Sequence, residues 1–128
     1  MSEFLSTVLT ISAVDPNGKK FDRVSRLVGK SIDNDLSVEL DYNSDILSIK
    51  AGDEVSLYLT FSESGAPQFG DYSYGMNGKL FKIEESSGKA TYYVSFGGLL
   101  LRVECPGNVL SKVKTGANCK LYMKSKMI

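Results

Sequence analysis

The sequence predicts an all-β domain folded as an eight-stranded antiparallel barrel, closed or nearly so. Three observations carry this expectation. Apolar and polar residues alternate with period two: Leu36, Val38 and Leu40 against Ser37, Glu39 and Asp41; Val55, Leu57, Leu59 and Phe61 against Glu54, Ser56, Tyr58 and Thr60; Cys119, Leu121 and Met123 against Lys120, Tyr122 and Lys124. That spacing places apolar side chains on one face of a strand. Turn-forming residues recur at short, regular intervals between these runs. Only residues 108–113 read as helical, because Pro106-Gly107 stops a strand and Asn108 can cap one turn.

In order along the chain, the first strand lies within residues 4–14. Asp15-Pro16-Asn17-Gly18 then makes a turn, since proline presets φ and Asn-Gly tolerates positive φ. Strands follow over 21–28 and 36–42, with a short one over 46–49 closed by a turn at Ala51-Gly52-Asp53. A long strand over 55–61 leads into a loop at 63–70. Two aromatic-rich runs, 72–85 and 91–96, flank a polar turn at 86–89 and read as a hairpin. The last strands cover 99–104 and 118–124. Gly97-Gly98 interrupts what would otherwise be one strand, which suggests a bulge, a barrel corner or a place where another backbone comes close. Phe96 before the pair and Leu99-Leu100-Leu101 after it place apolar groups on both faces of the sheet. A single buried face needs only alternate residues, so the surplus suggests a partner.

Composition bounds the rest. With 128 residues the chain is one domain, residues 1–128, able to bury roughly two-thirds of its unfolded surface. Fifteen basic residues balance fifteen acidic ones, so bulk charge gives no pull towards nucleic acid. The charges are nevertheless segregated: seven acids and one lysine between Asp33 and Glu54, five lysines and no acid from Cys105 onward. Cys105 and Cys119 are the only cysteines and suit buried, reduced thiols. Residues 1–10 lack a basic, apolar leader pattern, and no stretch is long and apolar enough to span a bilayer as a helix. A soluble intracellular protein, monomeric in isolation, is the expectation.

Catalytic chemistry is hard to assemble from this sequence. There is no histidine, no nucleophile elbow and no phosphate loop. Glu84 and Glu85 are adjacent on a strand and point to opposite faces, so they cannot form one site. Two lone thiols make no zinc site. No catalytic residue, metal or cofactor is expected. Tyr72, Tyr74, Tyr92, Tyr93 and Phe96 could stack on single-stranded bases. They could equally pack in a core or a protein interface, which the acids Asp71, Glu84, Glu85 and Glu104 among them favour.

Two segments resemble a known family. Asp71 through Gly78, Phe81-Lys82-Ile83-Glu84-Glu85 and Tyr93-Val94-Ser95-Phe96-Gly97-Gly98-Leu99-Leu100-Leu101-Arg102 are similar to the eighth common subunit of eukaryotic RNA polymerases I, II and III. Val14-Asp15-Pro16 and Phe21-Asp22-Arg23-Val24-Ser25-Arg26 form a second matching patch. The resemblance implies a Greek-key barrel related to oligonucleotide-binding folds, with one short helical turn. It implies a non-catalytic structural subunit in the nucleus, nucleolus included. That subunit would dock on the largest polymerase subunit and support assembly, with weak or no direct contact to nucleic acid. Tyr72, Tyr74, Phe96, Gly97, Gly98, Leu100 and Arg102 are the candidate partner-binding residues. The alternative is a free-standing binder of single-stranded nucleic acid. The chain departs from the family where members often carry a long acidic loop: it has only residues 62–70 there.

Overall fold

The computed structural model describes residues 4–16, 18, 23–31, 36–61, 74–107 and 113–126. Eight strands follow one another: β1 (Phe4–Val14), β2 (Val24–Ser31), β3 (Leu36–Asn43), β4 (Glu54–Thr60), β5 (Tyr74–Ser86), β6 (Lys89–Phe96), β7 (Leu99–Pro106) and β8 (Asn118–Lys126). Every neighbouring pair is antiparallel, and the order β1-β2-β3-β7-β6-β5-β8-β4 closes on itself through β4 and β1.

The ring is made of two Greek keys. Strands β1 to β3 pair in sequence, and β4 returns to lie on the far side of β1. Strands β5 to β7 repeat the pattern, and β8 returns to lie beside β5. The halves are joined by β3 to β7 and by β4 to β8. Closure pairs the strand backbones around the ring and leaves no long unpaired edge.

The alternation read from the sequence is the inward face. Leu9, Leu27, Val38, Leu40, Val55, Leu57, Leu59, Val94, Val103 and Leu121 have no measurable exposure, and Leu101 has almost none. Each such side chain contributes roughly 1.5–3 kcal/mol by leaving water. Cys105 and Cys119 belong to this core as free thiols. Burial pushes them up to about 11 and about 12, so both stay protonated at neutral pH.

Some boundaries differ from expectation. The second strand begins at Val24 rather than at 21, and residues 21–22 lie outside those described. Residues 46–49 are not a strand. Asn43 ends β3 in a turn, its carbonyl accepting from Ile46 and Leu47 and its side chain from Asp45. Leu47 and Ile49 are still buried in alternation, so period two marked burial there without a ladder partner. The helical turn expected at 108–113 falls outside the described residues except for Val113, which is buried. Among the described residues there is no helix.

Candidate docking face

The Gly97-Gly98 pair turns out to be a two-residue hairpin. Phe96 pairs with Leu99 across it, and the glycines have φ of 63° and 102°. Both angles positive is the geometry that matches the twist of a tight β-hairpin. A Cβ on either glycine would meet nothing within 4 Å. The pair is therefore neither a bulge nor a site of close approach within the chain; its demand is for positive φ. Close approach occurs instead at Gly78, where a Cβ would fall against the Ser95 carbonyl oxygen and 2.6 Å from the Phe96 ring. The bulge sits at Phe81, where the β5–β6 register slips between Leu80 and Lys82.

Asp41 is the centre of the surface beside that hairpin. It lies on the outward side of β3, yet its carboxylate is largely covered. Arg26 Nε donates to Asp41 Oδ1 at 2.6 Å and Arg26 Nη2 donates to Oδ2 at 3.2 Å. The Leu100 backbone N–H also donates to Oδ2, at 3.0 Å. The ladder between β3 and β7 stops at Leu40 and Leu101, so the Asp41 side chain takes over where backbone pairing ends. The carboxylate raises the Arg26 guanidinium above its usual range, chiefly by accepting its hydrogen bond. Arg26 is tied in turn to the start of the barrel: its N–H donates to Asp15 Oδ1 at 3.0 Å, and its carbonyl accepts from the Asp15 N–H at 2.8 Å. Asp15, with φ of 50°, opens the turn that Gly18 N closes on the Asp15 carbonyl.

From Asp41 a polar network crosses the outer face of β3, β7, β6 and β5. Glu39 faces Arg102 in the ladder, and their charged groups lie 3.9 Å apart. The Arg102 guanidinium is raised above its usual range, chiefly by its hydrogen bond to Tyr93 and to a lesser degree by Glu39. Tyr93 donates to Glu84 Oε1 at 2.9 Å, and Lys82 holds the other oxygen at 3.1 Å. Those two bonds, the lysine's first, lower the Glu84 carboxyl below its usual range. Lys82 Nζ also lies 5.4 Å from the centre of the Tyr93 ring, and the Phe81 ring is tilted against Tyr93 at 6.2 Å. Over this network stand two exposed apolar groups, Phe81 at 52% and Leu100 at 43%.

Two hollows open on the face. One of about 380 Å³ is lined, among the described residues, by Asp15, Pro16, Gly18, Val24, Ser25, Arg26, Asp41 and Gly97 to Leu99. A smaller one of about 150 Å³ lies between Arg26, Glu39, Tyr93, Leu100 and Arg102. The face thus carries tyrosine, phenylalanine and arginine side chains, residue types enriched at protein interfaces, together with an exposed leucine.

The candidate residues separate accordingly. Gly97, Gly98, Leu100 and Arg102 lie together on this face. Tyr74 and Phe96 are buried: Tyr74 sits inside the barrel, its hydroxyl accepting from the Asn43 N–H at 2.9 Å, and Phe96 packs over Gly78. Both leave the candidate surface for the core. Tyr72 lies outside the described residues. Tyr93, weighed from the sequence as a stacking or interface aromatic, also lies on this face; Asp15, Arg26, Asp41 and Phe81 were not singled out as contact residues, although Asp15, Arg26 and Phe81 lie in the runs of resemblance. No cluster of three metal-ligating side chains occurs among the described residues.

On the far side of the ring, β8 carries Lys120 and Lys124, and Tyr122 pairs with Tyr58 of β4, rings 6.2 Å apart. Acidic β3 and lysine-rich β8 occupy opposite positions in the strand order. The acids of the 33–54 stretch do not collect on one side: Glu39 and Asp41 lie on β3 beside Arg102 and Arg26, and Glu54 lies on β4 opposite Lys126 of β8.

Comparison with known proteins agrees with the resemblance. The family described as RNA polymerase Rpb8 matches over residues 6–69 and 61–125. A Schizosaccharomyces pombe protein named "DNA-directed RNA polymerases I, II, and III subunit RPABC3" is 37% identical, covering 80% of this chain and 82% of its own. A Caenorhabditis elegans protein named as the probable subunit of the same kind is 35% identical over 89% of this chain and 90% of its own. An Arabidopsis thaliana protein named "DNA-directed RNA polymerases II, IV and V subunit 8B" is 35% identical over 76% and 78%. Matched from the first strand to the last, the chain belongs to the RNA polymerase Rpb8 family.

Proposed function

We propose that this chain is a non-catalytic, structural subunit shared by nuclear RNA polymerases, and that it docks on the largest subunit through the face centred on Asp41. Family membership supports the polymerase assignment. The observation that carries the siting is convergence. Two of the runs that resemble the family, within 14–26 and 93–102, are far apart in sequence. They meet at one surface because Arg26 and the Leu100 N–H share the Asp41 carboxylate. Exposed Leu100 and Phe81 beside Arg102 and Tyr93 supply apolar anchors with a hydrogen-bonding rim. Nucleotidyl transfer would then belong to the other subunits, and this barrel would contribute binding energy and assembly.

Affinity purification of the tagged full chain from its own cells tests the reading. The largest and second-largest polymerase subunits should be recovered with it in stoichiometric amount, from the nucleus. A chain that fractionates free of polymerase, or that binds single-stranded oligonucleotides tightly with a steep salt dependence, would overturn it.

A further inference from the structure

We propose that the larger hollow receives a lysine or arginine side chain, with an apolar neighbour, from a segment of the partner polypeptide. The proposal rests on the docking reading above and specifies its chemistry. The hollow is built by Asp41. Because the carboxylate takes the Leu100 N–H where the β3–β7 ladder stops, the glycine hairpin is held beside the 15–18 turn by a side chain. Gly97 and Gly98 contribute no side chains to fill the space between them, and Pro16, Val24 and Leu99 form apolar walls. Among the described residues, the charged lining groups are two carboxylates, Asp15 and Asp41, against one guanidinium, Arg26. That guanidinium already spends Nε and Nη2 on Asp41. The described lining is therefore acidic by one charge, with Asp15 carrying the carboxylate that no guanidinium pairs with. A long basic side chain fits both features, since its methylene stem lies on apolar walls while its charged head reaches a carboxylate.

Val24 lines the hollow and stands on the outward side of β2, one pleat from Arg26. Val24→Lys and Val24→Glu add side chains of similar length and opposite charge. The tagged full-length variants are compared by the yield of largest subunit recovered per tagged chain. Val24→Lys should lower recovery at least tenfold, and Val24→Glu should remain within about threefold of the parent. Equal loss, equal retention or the reverse order overturns the proposal. If the parent itself recovers no polymerase, the docking reading has failed instead. A photo-crosslinking residue at Leu99 provides a second measurement that does not depend on either Val24 variant folding. The captured polymerase peptide should contain lysine or arginine beside an apolar residue, and a captured peptide without a basic residue overturns the proposal.

Discussion

Replacing Gly97, Gly98 and Gly78 separates two reasons for needing glycine. At the hairpin the reason is φ alone, because an added Cβ meets open space. Gly97, at φ 63°, lies near the left-handed well, where an L-residue costs roughly 1–2 kcal/mol. Gly98, at 102°, lies beyond it, and a β-branched residue there should cost about 2–3 kcal/mol. Gly97→Asn should be nearly neutral, since asparagine tolerates that well. Gly78→Ala should cost about 3 kcal/mol for a different reason: its Cβ meets the Ser95 backbone carbonyl, which cannot swing aside as a side chain would. For a chain of this size, 2 kcal/mol lowers Tm by roughly 6–10 °C. Thermal unfolding of the isolated chain reads all of these, with exposed Lys89→Ala as the control. A Gly98→Val that melts with the parent, a Gly97→Asn as damaging as Gly97→Val, or a neutral Gly78→Ala would overturn these two roles for glycine.

Asp41→Ala strands the Arg26 guanidinium and the Leu100 N–H together. A loss of about 2 kcal/mol is expected, with faster hydrogen exchange at the Leu100 amide; an unchanged Tm and unchanged protection would contradict the role assigned to Asp41. Cys105 and Cys119 set a pH dependence. Their folded values, about 11 and about 12, stand above the ordinary thiol value. The native state therefore keeps protons that the unfolded state releases. This contribution is fully present below about pH 9 and is lost as pH rises through 11 and 12. Buried Tyr42 and Tyr92, both raised chiefly by desolvation, add in the same direction. Denaturant titrations between pH 7 and 11 should show stability falling above pH 9, with a shallower fall in a Cys105→Ala, Cys119→Ala double variant. Stability rising over that range would contradict the burial of both thiols.

The strands were legible because burial is periodic. Leu57, Leu59 and Leu121 announce an inward face whatever their partners. Partner choice was not legible: nothing local to β4 says that it pairs with β1 and β8, since that depends on two long returns of the chain. The glycine pair was read as an interruption, and the hairpin escaped because Phe96 and Leu99 are both apolar and look continuous. Leu100 stood out as surplus apolar content, and it is exposed. Asp41 gave no signal. It is one polar residue in an alternating strand, and its partners lie fifteen and fifty-nine positions away. Tyr74 and Phe96 show the converse limit: an aromatic residue on a strand does not declare which face it takes until closure decides.

Docking through the Asp41 side of the barrel, as proposed, makes that side sensitive to added charge and leaves the β4–β8 side insensitive. One recovery assay compares the two sides. A Phe81→Glu, Leu100→Glu variant alters two exposed groups on the first side, and Ser56→Glu alters the second. Recovery of the largest subunit with the tagged full-length chain should fall at least tenfold for the double variant and stay at the parent's level for Ser56→Glu, while both melt within a few degrees of the parent, as surface changes do. Normal recovery with the double variant, or selective loss with Ser56→Glu, would rule out docking through the Asp41 side.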